Sequence, residues 1–439
     1  MRFPQGLVRT LRSFPSCLAL ILAGALVVRV LYTVLVSQDI PVIGDALTYH
    51  LLGENIADGE GFERVLHPQL ELRPGWEPGE PTAEHAPLFP LLVGALTALG
   101  ADSVLAQKLL LCLVGTATVG FVGLAGREAA GATVGLVAAG LAAVYPFLWV
   151  VDGSLMSETL YGTLVAALLW LALRFARRPS LGLAAGLGAL VSLAALTRGD
   201  AVALVPLLLL PLAFGARATW RSRVTLAAVA LVAFAIVLAP WTIRNLMTFE
   251  EPVLISTNGD TVFVGANCDP VYYGEFIGLW KFDCYGVAPR GDESQVAVEY
   301  RRRGLEYARE HAGRLPAVVA VRLLRVWDLF KPDQQAKYGS FEGRSITAGR
   351  MGLAMYYPLL ILAIAGAVIL RRRRAPLWPL IAFALMVSLI AMLAYGYTRF
   401  RFAAEPALCV LAAVALAAAA SATKTRVRAG ISQSQSTPV

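Results

Sequence analysis

Residues 16–37, with the sequence SCLALILAGALVVRVLYTVLVS, form an apolar run in which Arg29 is the only charged side chain. A helix of about 20 apolar residues is long enough to cross the hydrocarbon core of a bilayer, which is roughly 30 Å thick. Arg2, Arg9 and Arg12 precede the run, as in a signal peptide, but the run is long for one and lacks a small-x-small cleavage site. The stretch therefore predicts an uncleaved signal anchor and places the chain in a membrane.

The composition of the whole chain also indicates a membrane protein. Of its 439 residues, 57% are hydrophobic and only 15% are charged, whereas soluble domains carry roughly 25% charged residues. These numbers exclude a soluble enzyme, a disordered chain and a disulfide-rich miniprotein. The net charge of +8 indicates cytoplasmic loops and lipid headgroups rather than nucleic acid, since the sequence contains no basic patch with interleaved aromatic residues.

Nine further apolar runs follow the first, so the sequence predicts about ten transmembrane helices in an all-α polytopic membrane protein. The run at 201–215 is short for a full crossing and is included because the orientation of the later loops requires one there. The nine runs cover residues 104–125, 132–150, 158–175, 181–197, 201–215, 224–243, 351–370, 376–394 and 402–421.

Short basic loops predict the orientation of these spans. All of them fall on one side of the membrane when the N-terminus is cytoplasmic, in agreement with the positive-inside rule. We therefore expect a multi-pass protein of the inner (plasma) membrane with both termini in the cytoplasm. The basic residues are Arg177, Arg178, Arg217, Arg221, Arg223, Arg371 to Arg374, Lys424, Arg426 and Arg428.

The spans divide the chain into five segments, two of which contain large extracytoplasmic loops. Residues 87–100 are apolar but too few to span, which predicts an interfacial or re-entrant helix in the first loop. Residues 314–330 mix apolar and basic side chains, which predicts an amphipathic helix on the outer leaflet. The segments are a cytoplasmic N-terminus (1–15), an N-terminal transmembrane module (16–243) with the first loop (38–103), the second loop (244–350), the C-terminal helices (351–421) and a disordered cytoplasmic tail (422–439).

Two of the five cysteines lie in the second loop, which the orientation places in an oxidising compartment. Cys268 and Cys284 are sixteen positions apart, so we expect a disulfide between them. A zinc site is the less favoured alternative, because no histidine or second cysteine pair lies close to them in the sequence. Cys17, Cys112 and Cys409 lie in predicted spans, where a thiol behaves as a small apolar group.

Polar motifs recur where the predicted spans meet the outer loops. The first loop begins with GDALTYH, which contains Asp45 and Tyr49, and it ends with EHAPLFP, which contains Glu84 and His85. The later motifs are SLMSE at 154–158, LTR at 196–198, PWTIRN at 240–245, STNGD at 256–260 and RFR at 399–401, before Glu405 and Pro406.

In their order and common placement, these motifs resemble the polyprenyl-phosphate-dependent membrane glycosyltransferases of the GT-C fold. The similar family is the family 39-like group, which includes protein O-mannosyltransferases and lipid A aminoarabinose transferases. The resemblance implies a GT-C helical bundle that transfers a hexose or pentose, with inversion, from a polyprenyl-phosphate sugar to an extracytoplasmic glycan, lipid or protein. It also implies that Asp45 is the general base. Ala46 stands where the family often has a glutamate, and Ala86 where it often has a proline, which favours a different acceptor from that of the protein O-mannosyltransferases.

The chemistry of the transfer suggests roles for the other charged residues. A guanidinium suits the leaving phosphate, so the candidate phosphate ligands are Arg399, Arg401, Arg198 and Arg244, although arginines at span ends also commonly extend to lipid headgroups. The candidate substrate-binding residues are Tyr49, Glu158, Glu84 and His85. The sequence requires no cofactor, but Glu84 and His85 are a candidate pair for a divalent metal, which some of the similar enzymes bind.

A carrier or lipid flippase without catalytic activity is the alternative function. Transporters usually bind their substrates near the midplane of the membrane, between broken helices. In this chain the ionisable residues lie mainly at the outer ends of the spans rather than at their centres. The sequence therefore favours an enzyme whose site faces the outer side.

Overall fold

The computed structural model describes residues 13–65 and 78–434, with side chains as far as residue 423. Residues 1–12, most of the predicted cytoplasmic N-terminus, lie outside the described residues, together with Arg2, Arg9 and Arg12. The side chains of the basic tail also lie outside them. Within the described part, the chain consists of helices and connecting segments with one isolated antiparallel bridge, between Glu63 and Pro81. The predicted all-α class is confirmed.

Six of the described helices are long and apolar enough to cross a membrane. They coincide with six of the predicted spans. They are α1 (Phe14–Leu35), α4 (Val104–Ala130), α6 (Glu158–Arg177), α9 (Trp220–Thr248), α13 (Ile346–Arg372) and α15 (Glu405–Ser434).

The other four predicted spans form shorter apolar helices, so the count of ten stays a prediction. The segment 199–215 is the least regular. It begins as a 3-10 turn at Gly199–Ala203, widens at Val205–Leu209 and ends as the short helix α8 (Leu210–Gly215), because its two prolines remove backbone donors from a continuous helix. The short helices are α5 (Ala132–Val144), α7 (Leu181–Ala195), α8 (Leu210–Gly215) and α14 (Trp378–Leu393).

The long helices pack into one bundle around α4 and α15. Helix α4 packs against α1, α5 and α6, and α15 packs against α13, α5 and α4. Glycine permits the closest approaches. A Cβ added at Gly188 of α7 would lie 2.0 Å from the carbonyl oxygen of Ala230 in α9, and one added at Gly366 of α13 would lie 1.9 Å from that of Leu411 in α15. Small residues therefore set the distances between these helix pairs.

Charged side chains inside the bundle connect α1 to the segment that precedes α6. Arg29, the only charge in the first apolar run, is fully buried and donates from Nε to Asp152 Oδ2 at 2.7 Å. Lys108 of α4 is also buried, and its Nζ donates to the carbonyl oxygen of Ser37 at 3.0 Å. Ser37 in turn donates to the carbonyl oxygen of Gly153. These contacts fix the backbone just before Glu158, the first residue of α6.

The first loop carries two helices that pack against each other, α2 (Asp45–Asp58) and α3 (Leu88–Ala98). Helix α3 confirms that a short helix forms within the apolar stretch at 87–100. Its apolar side chains Phe89 and Val93 are buried in a small cluster with Tyr49 of α2. The beginning of α2, where Asp45 lies, is thereby held against the rest of the molecule.

The longest helices of the second loop are α10 (Asn258–Ala266), α11 (Glu293–Glu310) and α12 (Leu315–Val326), and the shorter helices Asp269–Tyr272 and Pro332–Tyr338 lie between and after them. A disulfide joins Cys268 to Cys284, as their spacing suggested, with 6.0 Å between the two Cα atoms. Helix α12 forms within the predicted amphipathic stretch, but its arginines are buried. Arg322 donates to the carbonyl oxygen of Met392 at 3.3 Å, and Arg325 donates to that of Ile277 at 2.6 Å. Helix α12 is therefore connected to the end of α14.

At the C-terminal end, α15 continues into the predicted tail at 422–439. It ends at Ser434, and residues 435–439 lie outside the described part of the chain. The disordered tail stays a prediction. The segment before residue 422 is rich in alanine, the residue with the highest helix propensity, and no glycine or proline interrupts it between 407 and 429. The helix therefore extends past the predicted membrane boundary.

Candidate active site

A cavity of about 570 Å³ lies where the two loops meet the ends of α2, α6, α7 and α14. Its walls bring together segments that are far apart in the sequence, including residues 251–263 of the second loop and part of α11. The predicted site residues that line it are Asp45, Tyr49, Glu84, His85, Arg198 and Arg399.

Asp45 is the first residue of α2 and lies at the wall of this cavity. Gly44 precedes it with a φ of +58°, a conformation that glycine adopts without steric cost. The Asp45 side chain is 36% exposed, and its Oδ2 accepts a hydrogen bond from Arg399 Nη1 at 2.8 Å. The cavity therefore has a carboxylate and a guanidinium side by side on its wall.

The charge of Arg399 determines the protonation of Asp45. Burial by itself would raise the pKa of Asp45, but the Arg399 charge and hydrogen bond, with smaller effects from His85 and Arg198, lower it to about 2. Because this value is below the ordinary 3.8, the ion pair stabilises the fold above about pH 4, and this contribution is lost as the pH falls towards 2. Asp45 is thus ionised at neutral pH.

Arg399 connects Asp45 to a larger ionic network. Its Nε donates to Glu158 Oε1, and its Nη1 lies 3.1 Å from Glu342 Oε1. Glu158, fully buried at the start of α6, also accepts from Arg198 Nη1 at 2.8 Å. Arg198 Nε in turn lies 3.7 Å from Asp200 Oδ1. The predicted acid at the start of the fourth span therefore binds two of the predicted arginines.

Sequence motifs did not single out Glu342 and Arg344, which complete this network. Arg344 Nη2 lies 3.1 Å from Glu342 Oε2 and 3.7 Å from Glu158 Oε1. Arg344 immediately precedes Ser345, the N-cap of α13. Arg344, like Arg399, lies beside the end of a long apolar helix, and this position is the sequence signal that points to it.

Tyr49 and His85 form a second part of the cavity wall. The hydroxyl of Tyr49 lies 3.4 Å from His85 Nδ1, and the ring of Tyr49 contacts the Phe89 ring edge-on. Both Tyr49 and His85 are buried. Burial raises the pKa of Tyr49 above its ordinary value of 10, so its hydroxyl stays protonated and can donate a hydrogen bond.

The predicted metal pair, Glu84 and His85, is not part of a metal-binding cluster. Nowhere in the described residues do three or more His, Cys, Asp or Glu side chains form a group that could hold a metal ion. His85 Nδ1 is already in contact with Tyr49, and the nearby Asp45 is bound to Arg399. Metal binding by Glu84 and His85 therefore stays a prediction.

Two of the predicted phosphate ligands do not line the cavity. Arg401 is fully buried, donates to Asp328 at 2.6 Å and to Glu405 at 2.7 Å, and lies over the Tyr356 ring. Arg399 and Arg401 belong to the single-turn helix Thr398–Arg401, in which residues two apart point in nearly opposite directions. Arg401 therefore connects elements of the protein interior.

Arg244 also lies outside the cavity. Its guanidinium donates to the carbonyl oxygens of Thr82 at 3.0 Å and Phe62 at 3.2 Å, and it lies over the Trp241 ring. It therefore fastens the end of α9 to the first loop, just before the Glu84 and His85 segment.

Glu293 is a further residue that positions the cavity wall. This buried carboxylate at the start of α11 accepts hydrogen bonds from Thr82 Oγ1 at 2.7 Å and from the backbone nitrogen of Ala83 at 2.9 Å, both in the first loop. It also accepts one from Thr257 Oγ1 in the second loop at 2.8 Å. Glu293 thus holds the two loops together directly beside the cavity.

Residues 84–243 match a family model described as dolichyl-phosphate-mannose-protein mannosyltransferase. The matched region contains Glu84, His85, Glu158 and Arg198, and it begins after Asp45. No curated protein matches the sequence at a significant level.

Solved structures with the same fold include the oligosaccharyltransferase AglB from Archaeoglobus fulgidus. One structure is that of AglB in complex with an inhibitory peptide and a dolichol-phosphate. The alignment covers 96% of the present chain and 52% of the AglB chain, with 13% identity and a TM-score of 0.57. A second structure, of the A. fulgidus oligosaccharyltransferase in complex with zinc and sulfate, aligns with 94% of the present chain and 51% of its own chain, with 14% identity and a TM-score of 0.55. The chain thus spans about half the length of these enzymes.

ArnT from Cupriavidus metallidurans, bound to undecaprenyl phosphate, also matches, over 91% of this chain and 77% of its own, with 18% identity and a TM-score of 0.42. The family match and the similarity to AglB confirm the GT-C fold and the resemblance noted in the sequence. The chain is accordingly a multi-pass membrane protein with the fold of the GT-C glycosyltransferases.

Proposed function

We propose that this chain is a glycosyltransferase that moves a sugar from a polyprenyl-phosphate donor to an acceptor bound in the cavity. The observation that carries the proposal is the pair formed by Asp45 and Arg399, whose carboxylate and guanidinium lie 2.8 Å apart at the wall of a 570 Å³ cavity. The transfer needs both groups, a base for the acceptor and a cation for the leaving phosphate. The match to the dolichyl-phosphate-mannose-protein mannosyltransferase family and the dolichol-phosphate in the AglB structure support a polyprenyl-phosphate sugar as the donor.

Each group has a defined task in the reaction. The acceptor hydroxyl gives its proton to Asp45 while its oxygen forms a bond to the anomeric carbon of the donor sugar. The bond from that carbon to the phosphate oxygen breaks, and its electron pair remains on the phosphate. Attack from the face opposite the phosphate inverts the configuration. Arg399 and Arg198 stabilise the negative charge of the released phosphate.

The remaining wall residues bind the substrates. Tyr49 and His85 lie beside Asp45, where the Tyr49 hydroxyl is available to a sugar hydroxyl, and Glu84 lines the same wall. Glu158 holds Arg198 and Arg399 in place through its ion pairs. The sugar is a hexose or pentose, and the acceptor is a glycan, lipid or protein on the extracytoplasmic side of the plasma membrane.

Lipid-linked sugar profiling in cells tests the proposal. Deleting the gene should cause a polyprenyl-phosphate sugar to accumulate, and the wild-type chain should reverse the accumulation. Asp45→Asn should fail to reverse it, with transfer at least about 100-fold slower, because a general base contributes roughly 10²- to 10⁴-fold to the rate. Asp58→Asn is the matched control, since Asp58 is exposed at the other end of the same helix.

Two results would contradict the proposal. An unchanged lipid-linked sugar profile after deletion would argue against a glycosyltransferase of this class. Full restoration by Asp45→Asn, at the same membrane level as the wild type, would remove Asp45 as the base.

A further inference from the structure

The carboxylate of Glu342 lies between two guanidiniums. Its Oε1 is 3.1 Å from Arg399 Nη1, and its Oε2 is 3.1 Å from Arg344 Nη2. All three side chains are largely buried, with exposed fractions of 11–13%. Arg399 is hydrogen-bonded to one oxygen of Glu342, and Arg344 is ion-paired with the other. Guanidiniums bind phosphate oxygens as well as carboxylate oxygens.

The net charge around Arg344 and Arg399 disfavours the binding of an additional anion. The network contains the carboxylates of Asp45, Glu158, Asp200 and Glu342, and the guanidiniums of Arg198, Arg344 and Arg399. With all of them ionised, the four negative and three positive charges leave an excess of one negative charge. A phosphate that entered would add further negative charge to a largely buried cluster, which is costly unless a carboxylate leaves.

Glu342 is the carboxylate best able to leave. Glu158 is fully buried on a long helix and binds three arginines, whereas Glu342 ends a single 3-10 turn, Gly339–Glu342. The backbone nitrogens of Gly343 and Arg344 donate within this turn, to Ser340 and Gly339. Gly343 follows with a φ of +70°, in the region that favours glycine. The turn is therefore built from local contacts that need not break when it shifts.

We propose that Arg344 and Arg399 form the binding site for the donor phosphate, that Glu342 occupies this site in the absence of the donor, and that the phosphate displaces Glu342. The identity of the anion as a lipid phosphate rests on the proposed function. Displacement also engages Arg399 with the phosphate, which weakens its hold on Asp45. Asp45 then becomes a stronger base only when a donor is present.

Calorimetric titration of the purified full-length chain with farnesyl phosphate and with inorganic phosphate tests this proposal. Glu342→Gln should bind farnesyl phosphate about tenfold more tightly than the wild type, because a charged competitor has been removed. Arg344→Met should bind it at least about tenfold more weakly. Glu310→Gln, the same change at an exposed position of the second loop, should bind like the wild type.

Two further measurements keep the outcome decisive. The thermal midpoint of each variant shows whether it folds. If Glu342→Gln does not fold, Glu342→Asp replaces it. Glu342→Asp should tighten the binding of farnesyl phosphate by a smaller factor, because its shorter side chain still carries a competing carboxylate that reaches less far. In every folded variant farnesyl phosphate should bind more tightly than inorganic phosphate, which identifies a lipid phosphate as the ligand. Equal binding of the two ligands would overturn that identification.

Unchanged or weaker binding of farnesyl phosphate by the Glu342 variant would overturn the displacement model, even in a chain that transfers sugar in cells. Tighter binding by the Glu342 variant together with weaker binding by Arg344→Met would support the anion site, even in a chain whose deletion leaves the lipid-linked sugars unchanged. The failure of this inference is therefore distinguishable from the failure of the proposed function.

Discussion

Arg399 and Arg401 are two positions apart and have different surroundings. Arg399 lines the cavity and binds three carboxylates, whereas Arg401 is fully buried between Asp328 and Glu405. Asp328 reaches Arg401 from a backbone with a φ of +51°, a conformation that aspartate tolerates better than most residues. The first arginine therefore belongs to the candidate site and the second to the interior scaffold.

Replacing each arginine by methionine should separate these roles. Arg401→Met leaves two buried carboxylates without their cation, so we expect the free energy of unfolding to fall by about 3–5 kcal/mol. Arg399→Met should cost less stability, because Glu158 keeps Arg198 and Arg344 as partners, but should abolish sugar transfer. Chemical unfolding in detergent, followed by circular dichroism, measures the first effect. An Arg401→Met variant as stable as the wild type would contradict the assignment.

At the scale of helices, the approach of α7 to α9 positions one side of the cavity. Helix α7 ends at Ala195, three residues before Arg198, and its Gly188 lies directly against the backbone of α9 at Ala230. The ends of several other helices are set by local capping. The side chains of Ser103, Ser180, Thr219 and Ser345 each accept a backbone hydrogen bond in the first turn of the helix they precede.

Gly188→Ala should disrupt the contact between α7 and α9. The added Cβ would lie 2.0 Å from the Ala230 carbonyl oxygen, so the helices must separate, and we expect a loss of about 1–3 kcal/mol in stability. Gly182→Ala is the matched control in the same helix. Nothing lies within 4 Å of its added Cβ, and alanine favours the helix by roughly 0.5–1 kcal/mol. Thermal unfolding compares the two, and equal midpoints would show that the close approach contributes nothing.

At the scale of the whole molecule, the candidate site depends on contacts between distant segments. Asp45 and Arg399 are 354 positions apart in the sequence, and Glu293 connects the two loops that enclose the cavity. The site therefore forms only when the first loop, the second loop and the C-terminal helices pack together. The two loops and the end of the C-terminal helices that carries Arg399 must therefore lie on the same side of the membrane.

Cysteine labelling tests the orientation of the molecule. Val287 is 83% exposed in the second loop, and Arg373 is exposed in the basic loop between α13 and α14. A chain with alanine at 17, 112 and 409 keeps the disulfide and permits one added cysteine. An impermeant maleimide should label Val287→Cys in intact cells, because the predicted topology places the second loop outside the membrane. It should label Arg373→Cys only after permeabilisation, because the basic loop is predicted to be cytoplasmic. Labelling of both in intact cells would overturn the predicted topology.

Much of the fold follows from local sequence patterns. Apolar runs of about 20 residues predict membrane helices wherever they occur, and six such helices form. The four shorter runs leave the total number of spans open. The alanines before residue 422 continue α15 into the predicted tail as far as Ser434.

The motifs at the ends of the predicted spans selected Asp45, Arg198, Glu158 and Arg399 as candidate site residues, and the structure joins these four in one ionic network. The sequence did not show that Arg244 and Arg401 turn away from the cavity, or that Glu342 and Arg344 enter the network. Helix formation and membrane burial depend on residues close together in the chain, so a sequence pattern records them. The direction of a side chain and its partner depend on how distant segments pack, and only the folded molecule specifies them.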